Sequence, residues 1–149
     1  MPIRCEIVSQ DRTVFEGEAD MVLLPGTDGE MGILPHHAPL LTTLKYGIIK
    51  VRLQAQEAYF TVAGGIAEVQ PEIVTILADA AENVEQIDIA RAEAARQRAI
   101  DLLAKGFPAG SDVYQDLGSA LRRSNLRLDA VKRYRRGSNR PPHTTEESR

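Results

Sequence analysis

Glycine and proline punctuate the chain at short intervals as far as Pro71, whereas Asp88 to Lys105 contains neither. That change of texture constrains the fold more than any single residue does. From Ile3 to Ala78 the apolar and β-branched residues come in runs of four to seven. These runs are broken at Asp11-Arg12, Gly17, Pro25-Gly26, Asp28-Gly29, Gly47, Gly64-Gly65 and Pro71. The spacing predicts the short strands of an all-β sandwich or barrel and leaves little room for a long helix. Ile49, Val51 and Leu53 alternate with Lys50 and Arg52, the period of a strand with one buried and one wet face. Ile73 to Ala78 (I-V-T-I-L-A) is apolar on both faces apart from Thr75, and Met21 to Leu24 is similar, so both are expected deeper in the module.

Near Glu82 the composition turns to Ala, Arg, Glu, Gln and Leu, all strong helix formers. Asp88 is the expected N-cap, because its carboxylate accepts from orphan backbone N–H groups and suits the positive end of the helix dipole. Gly106-Phe107-Pro108-Ala109-Gly110 cannot continue a helix, and Ser111-Asp112 supplies the cap of a second one. On that second helix Val113, Leu117, Ala120, Leu121, Leu128 and Val131 form an apolar stripe, and Leu126 falls off it. The first helix carries a thinner stripe of Ile89, Ala92, Ala99 and Leu103, so the pair buries little area and is expected to be movable. The expected fold class is therefore α+β: a β-sandwich over residues 1–86 followed by an antiparallel two-helix hairpin over residues 87–136. Residues 137–149 (GSNRPPHTTEESR) hold no apolar side chain except the prolines and read as a disordered tail.

The two modules differ in charge. Residues 1–86 carry 13 acidic and 5 basic side chains, net 8 negative, and residues 87–149 carry 8 and 13, net 5 positive. Such asymmetry predicts different partners for the two modules. No stretch approaches the roughly 18–20 apolar residues of a membrane span, and the N-terminus lacks an apolar signal region, so a cytosolic or membrane-peripheral protein is expected. Cys5 is the sole cysteine and reads as a small buried residue of the first strand. Phosphate loops, nucleophile elbows and paired metal-ligand histidines are missing from the sequence, so no catalytic site and no metal site are expected. His36 and His37 are adjacent with no spaced Cys or acidic partner, and they read as part of a rigid loop held by Pro35 and Pro39. No helix pattern follows Gly64-Gly65, which reads as a bulge or tight hairpin and not as an anion site. A hydrolase built on Cys5 or His37 lacks any spacing of base and nucleophile. Eight Lys and Arg against the single acid Asp129 over residues 122–140 suit an acidic protein surface, a phosphate group or nucleic acid. Nucleic acid is disfavoured because Tyr134 is the only stacking platform in that run.

Gly29 to Gly47, G-E-M-G-I-L-P-H-H-A-P-L-L-T-T-L-K-Y-G, closely resembles the signature of F-type ATP synthase epsilon subunits, usually G-[DE]-[IL]-G-[IVL]-[LY]-P-[GN]-H-A-P-L-[LV]-[TA]. Phe60 to Leu77 resembles the second conserved block of that family, and Ile87 to Ala92 its I-D-x-x-R-A motif. The departures are His36, where Gly or Asn is usual, the G-F-P-A-G connection and the long polar tail.

The resemblance implies a non-catalytic rotor subunit of a proton-translocating complex, peripheral to the membrane on its cytoplasmic face. It implies that Glu30 and Met31 meet the membrane ring of c subunits and that His37 faces the gamma subunit. It further implies that the basic second helix can reach acidic segments of the alpha/beta catalytic head and oppose hydrolysis. Some bacterial members bind regulatory ATP in the folded hairpin; the matching positions here are Asp88, Arg91, Ala92 and Arg98 on the first helix and Arg123 and Arg127 on the second. No other cofactor is implied.

Overall fold

Eight strands fill the N-terminal module: β1 Ile3–Val8, β2 Thr13–Ala19, β3 Met21–Gly26, β4 Gly29–Ile33, β5 Leu40–Leu53, β6 Gln56–Val69, β7 Ile73–Ala78 and β8 Ala81–Asn83. A 3-10 turn, Val84–Gln86, leads to helices α1 Ile89–Leu103 and α2 Asp112–Ala130, the latter extended by a π turn, Val131–Arg135. This computed structural model describes residues 1–135, so Arg136, Arg140 and the expected tail at 137–149 lie outside the described residues.

The strands pair in the order β2-β1-β7-β6-β5-β3-β4, with β8 also on β6. All pairs are antiparallel except β1 with β7. β5 and β6 are 14 residues each, long enough to pass through both layers of a sandwich. β6 pairs β8 through Phe60–Val62 and β7 through Gly65–Val69, so the Gly64-Gly65 pair marks a change of partner inside one strand. Both glycines have positive φ, 86° and 141°, and a Cβ at Gly65 would collide with the Leu77 carbonyl oxygen. The sheet thus folds back on itself. Phe15 of β2 meets Phe60 of β6 with ring centroids 5.3 Å apart, although β1 and β7 separate the two strands in the ladder.

One apolar core lies between the layers, built on Ile3, Ile7, Leu24, Ile49, Phe60 and Ile76 with Cys5 among them. Each such side chain contributes about 1.5–3 kcal/mol of burial. The expected two-sided burial of β7 and β3 is not found. Val74, Ile76 and Ala78 face the core while Leu77 is 54% exposed, and on β3 only Val22 and Leu24 of the first four residues are buried. The reason is geometric: each layer has only one face toward its partner layer, and no element of the described chain covers the other face of β7.

Asp88 caps α1 by accepting from the Arg91 N–H at 3.0 Å, and Ser111 caps α2 by accepting from the Tyr114 N–H at 3.2 Å. Gly106, at φ 82°, ends α1 in the left-handed region that favours glycine. Ala92, Ala99, Ser124 and Ala130 are the buried residues of α1 and α2. The apolar stripes expected from the sequence are only half realised, because Ile89 and Val113 are exposed while Leu126 is partly buried against the sandwich side. α2 divides its burial between α1 on one face and the sandwich on another, so a single stripe does not describe it. Tyr59, Val84, Ile87, Ala130 and Val131 form a second, small core where the hairpin docks.

Candidate functional site

Among the described residues the chemistry-bearing side chains collect on two surfaces. The first begins on β4. Glu30 is exposed beside the β3–β4 turn, opposite Pro25, and Met31 follows it, half-buried and packed against the core. His37 lies beyond the other end of β4, so the structure places Glu30 and His37 at opposite ends of one short strand. His37 Nδ1 sits 2.7 Å from the Ala38 carbonyl oxygen, which can only accept. Nδ1 therefore donates in this contact. The His37 N–H donates to the Leu34 carbonyl at 3.2 Å, and the His36 N–H to the Pro71 carbonyl at 2.9 Å, which fastens this loop to the β6–β7 turn. His36 adopts φ 65°, a left-handed conformation that costs a side chain with a Cβ about 1–2 kcal/mol. That conformation accounts for the Gly or Asn usual at this place in the signature.

An apolar patch adjoins this loop that the sequence reading did not identify. Ile66 and Leu77 are direct cross-strand partners, 44% and 54% exposed, and Leu41, 70% exposed, lies diagonally beside Ile66 on β5. The available signal was the unbroken apolar run of β7, which exceeds what one buried face requires.

The second surface is a groove of about 410 Å³ between the helices, lined by Arg91, Arg98, Arg123 and Arg127 with small residues at its floor. All four arginines singled out from the sequence therefore converge. Buried Ala92, Ala99 and Ser124 let the helix axes approach, and Ala94, Ala95 and Ala120 line the groove between the guanidinium groups. Asp88 is not among the residues that line the groove, and its Oδ1 caps α1. Ala92 is fully buried in the helix contact. Arg127 grips Glu82 of β8 with both prongs, Nε to Oε2 at 2.9 Å and Nη2 to Oε1 at 3.2 Å. Arg91, Arg98 and Arg123 have no ion pair among the described residues. One carboxylate against four guanidinium groups leaves a strongly cationic groove matched to a polyanion.

The rest of the basic run is dispersed. Arg122 lies over the Tyr46 ring at 4.2 Å, and Arg135 donates to the Val84 and Ile87 carbonyls at the 3-10 turn before α1. Cys5 is fully buried, and desolvation, with the Glu6 charge as a smaller cause, pushes its thiol from 9.0 up to about 12. It is an inert core residue.

Residues 2–84 match the family described as ATP synthase, Delta/Epsilon chain, beta-sandwich domain, and residues 85–132 match its long alpha-helix domain. The ATP synthase epsilon chain of Dehalococcoides mccartyi is 42% identical over 134 residues, covering 90% of this chain and 95% of that one. The epsilon chain of Pelotomaculum thermopropionicum is 49% identical over 102 residues, covering 68% and 76%. A chain of the Euglena gracilis mitochondrial ATP synthase shares the fold, with a TM-score of 0.70 at 23% identity over 87% of this chain and 81% of that one. With both modules matched and such relatives aligned along most of their length, this chain belongs to the epsilon-chain family of F-type ATP synthases, a non-catalytic subunit of that complex.

Proposed function

We propose that this chain is a central-stalk rotor subunit whose sandwich joins the gamma subunit to the c ring and whose hairpin restrains ATP hydrolysis. The observation that carries the regulatory half is the four-arginine groove between two thinly packed helices. The sandwich supplies a rigid mount. Its exposed Leu41, Ile66 and Leu77 form an apolar patch beside the His37 loop, suited to the gamma subunit, while Glu30, exposed at the far end of β4, suits polar loops of the ring. Held in this way, the subunit sits peripherally on the cytoplasmic face of the cell membrane.

ATP bound in the groove places phosphate oxygens among Arg91, Arg98, Arg123 and Arg127 and removes the mutual repulsion that opposes a closed hairpin. Since a ligand shifts an equilibrium by its differential affinity for the two states, ATP favours the docked form. When ATP is scarce the same cationic helix is released to acidic surfaces of the alpha/beta head and blocks rotation in the hydrolysis direction. Two measurements test this. Calorimetry is expected to show ATP binding to the isolated subunit that is lost in the Arg123→Ala, Arg127→Ala double variant. Deleting residues 87–149 is expected to raise ATPase activity of the assembled enzyme while leaving proton-driven synthesis intact. Absence of ATP binding would remove the sensing role, and unchanged hydrolysis the inhibitory one.

A further inference from the structure

We propose that Arg135 is a clasp that fastens the end of the hairpin to the hinge from which the hairpin starts. Arg135 Nη2 donates to the Val84 carbonyl at 2.5 Å and to the Ile87 carbonyl at 2.8 Å. Those two carbonyls bracket the 3-10 turn that joins the sandwich to α1. The chain leaves the hinge along α1, returns along α2, and is tied by Arg135 to its own point of departure. Any outward swing of the hairpin must turn about Val84–Ile87, so it displaces the acceptors on which the clasp depends. Hinge and lock are the same residues.

The π turn Val131–Arg135 sets up this contact. It widens the last turn of α2, seats Val131 in the small docking core, stacks Tyr134 on Tyr59 with centroids 4.3 Å apart at 20°, and delivers Arg135 to the hinge. The chemistry of the clasp makes it releasable. Its acceptors are neutral carbonyls and not carboxylates, and the buried Nε has no hydrogen-bond partner among the described residues. A guanidinium taken from water without full compensation is held weakly. An acidic partner surface, offering two-pronged carboxylates, competes well for it. Arg127 differs, since Glu82 already gives it a charged partner. The clasp is thus the contact most easily exchanged for a docking surface.

This inference rests on the reading that the hairpin leaves the sandwich during regulation, and its test is made on the isolated full-length subunit without nucleotide or partners. Spin labels at Glu68→Cys on β6 and Asp116→Cys on α2, both exposed positions, report the distance between sandwich and hairpin; buried Cys5 will not label. Arg135→Met keeps the length of the side chain and removes its donors. It is expected to raise the long-distance population about fivefold, since both hydrogen bonds to the buried Val84 and Ile87 are lost while the uncompensated Nε limits their net contribution. Arg133→Met, which removes the same charge from an exposed neighbour, is expected to leave the distribution unchanged, and Arg135→Lys to fall between. A distribution in Arg135→Met equal to that of the unsubstituted chain, with helicity intact by circular dichroism, overturns the clasp. So does an equal effect of Arg133→Met, which would reduce the result to net charge. An assembled enzyme whose hydrolysis ignores the hairpin would defeat the regulatory reading and leave this distance result standing.

Discussion

Phe60 in the sandwich and Ala92 in the hairpin are both shielded from water, yet burying the first removes several times the apolar area that burying the second does. The sandwich holds together through branched and aromatic side chains that interdigitate between layers. The hairpin holds together through alanines, and it is attached to the sandwich by the small core around Val84 and Val131 and by a few directional contacts: Arg127 to Glu82, Arg122 over Tyr46, Tyr134 on Tyr59. Dense packing suits the rigid mount that the proposed rotor role calls for. Thin packing with directional anchors suits an element that changes place, because a few contacts exchange at modest cost.

The strongest way to break this comparison is to attack each core in turn. Phe60→Ala is expected to destabilise the whole protein by about 3–5 kcal/mol, read as a drop in the urea midpoint of the β signal. Ala92→Gly is expected to cost only about 1 kcal/mol and to be confined to the helical signal. A loss of strand structure in Ala92→Gly equal to that in Phe60→Ala would show that the two modules fold as one unit.

The docking anchors come next. The side chains of Arg127 and Glu82 are 26% and 21% exposed, so the pair is partly screened. Its coupling in a double-mutant cycle is expected to be about 1 kcal/mol. Glu82→Gln should therefore speed hydrogen exchange of α2 amides about fivefold while leaving β1 and β7 protected. Equal acceleration in both modules would contradict the separation of stabilities.

High pH distinguishes the modules in another way. Because burial raises the Cys5 thiol to about 12 in the folded chain, the neutral thiol is favoured by folding. Its contribution is complete below 9.0 and is lost as pH climbs toward 12, since the unfolded chain releases the proton first. Relative to Cys5→Ala, the unsubstituted chain is expected to lose about 1.4 kcal/mol more between pH 8 and pH 10, seen in chemical denaturation of the β signal. Parallel pH curves would show that the thiol reaches solvent.

Local chemistry made much of this molecule legible. Asp88 and Ser111 announce their helices because a short polar side chain before a helix-forming run has one efficient use. The arginines of the groove were picked out by the family resemblance, and only the four-residue spacing of Arg123 and Arg127 marked two of them as sharing a helix face. Burial on each strand was less legible. I-V-T-I-L-A has no polar residue to mark its outer face, and only the assembled layers show that Leu77 points out. Leu126 was misassigned for a similar reason: periodicity reveals one apolar face of a helix and is blind to a second, partial one. Arg135 lay beyond sequence reasoning altogether, because its acceptors are backbone carbonyls that any residue supplies.

The smallest expected effect tests whether the sandwich is relaxed throughout. His36 holds φ 65° in the loop that carries His37, and its backbone N–H is tied to Pro71. A left-handed residue with a Cβ costs about 1–2 kcal/mol, and glycine recovers most of that while adding about 0.5–1 kcal/mol of chain entropy to be lost on folding. His36→Gly is therefore expected to stabilise the sandwich by roughly 0.5 kcal/mol, a rise of about 2 °C in Tm by calorimetry. His36→Asn, whose side chain tolerates this conformation, is expected to act in the same direction. Strain located here, and not in the core, would mean that the rigid module spends stability on presenting one loop. If both variants melt at lower temperature than the unsubstituted chain, the imidazole of His36 makes a contact worth more than the strain, and the loop is held by that side chain instead of by its backbone.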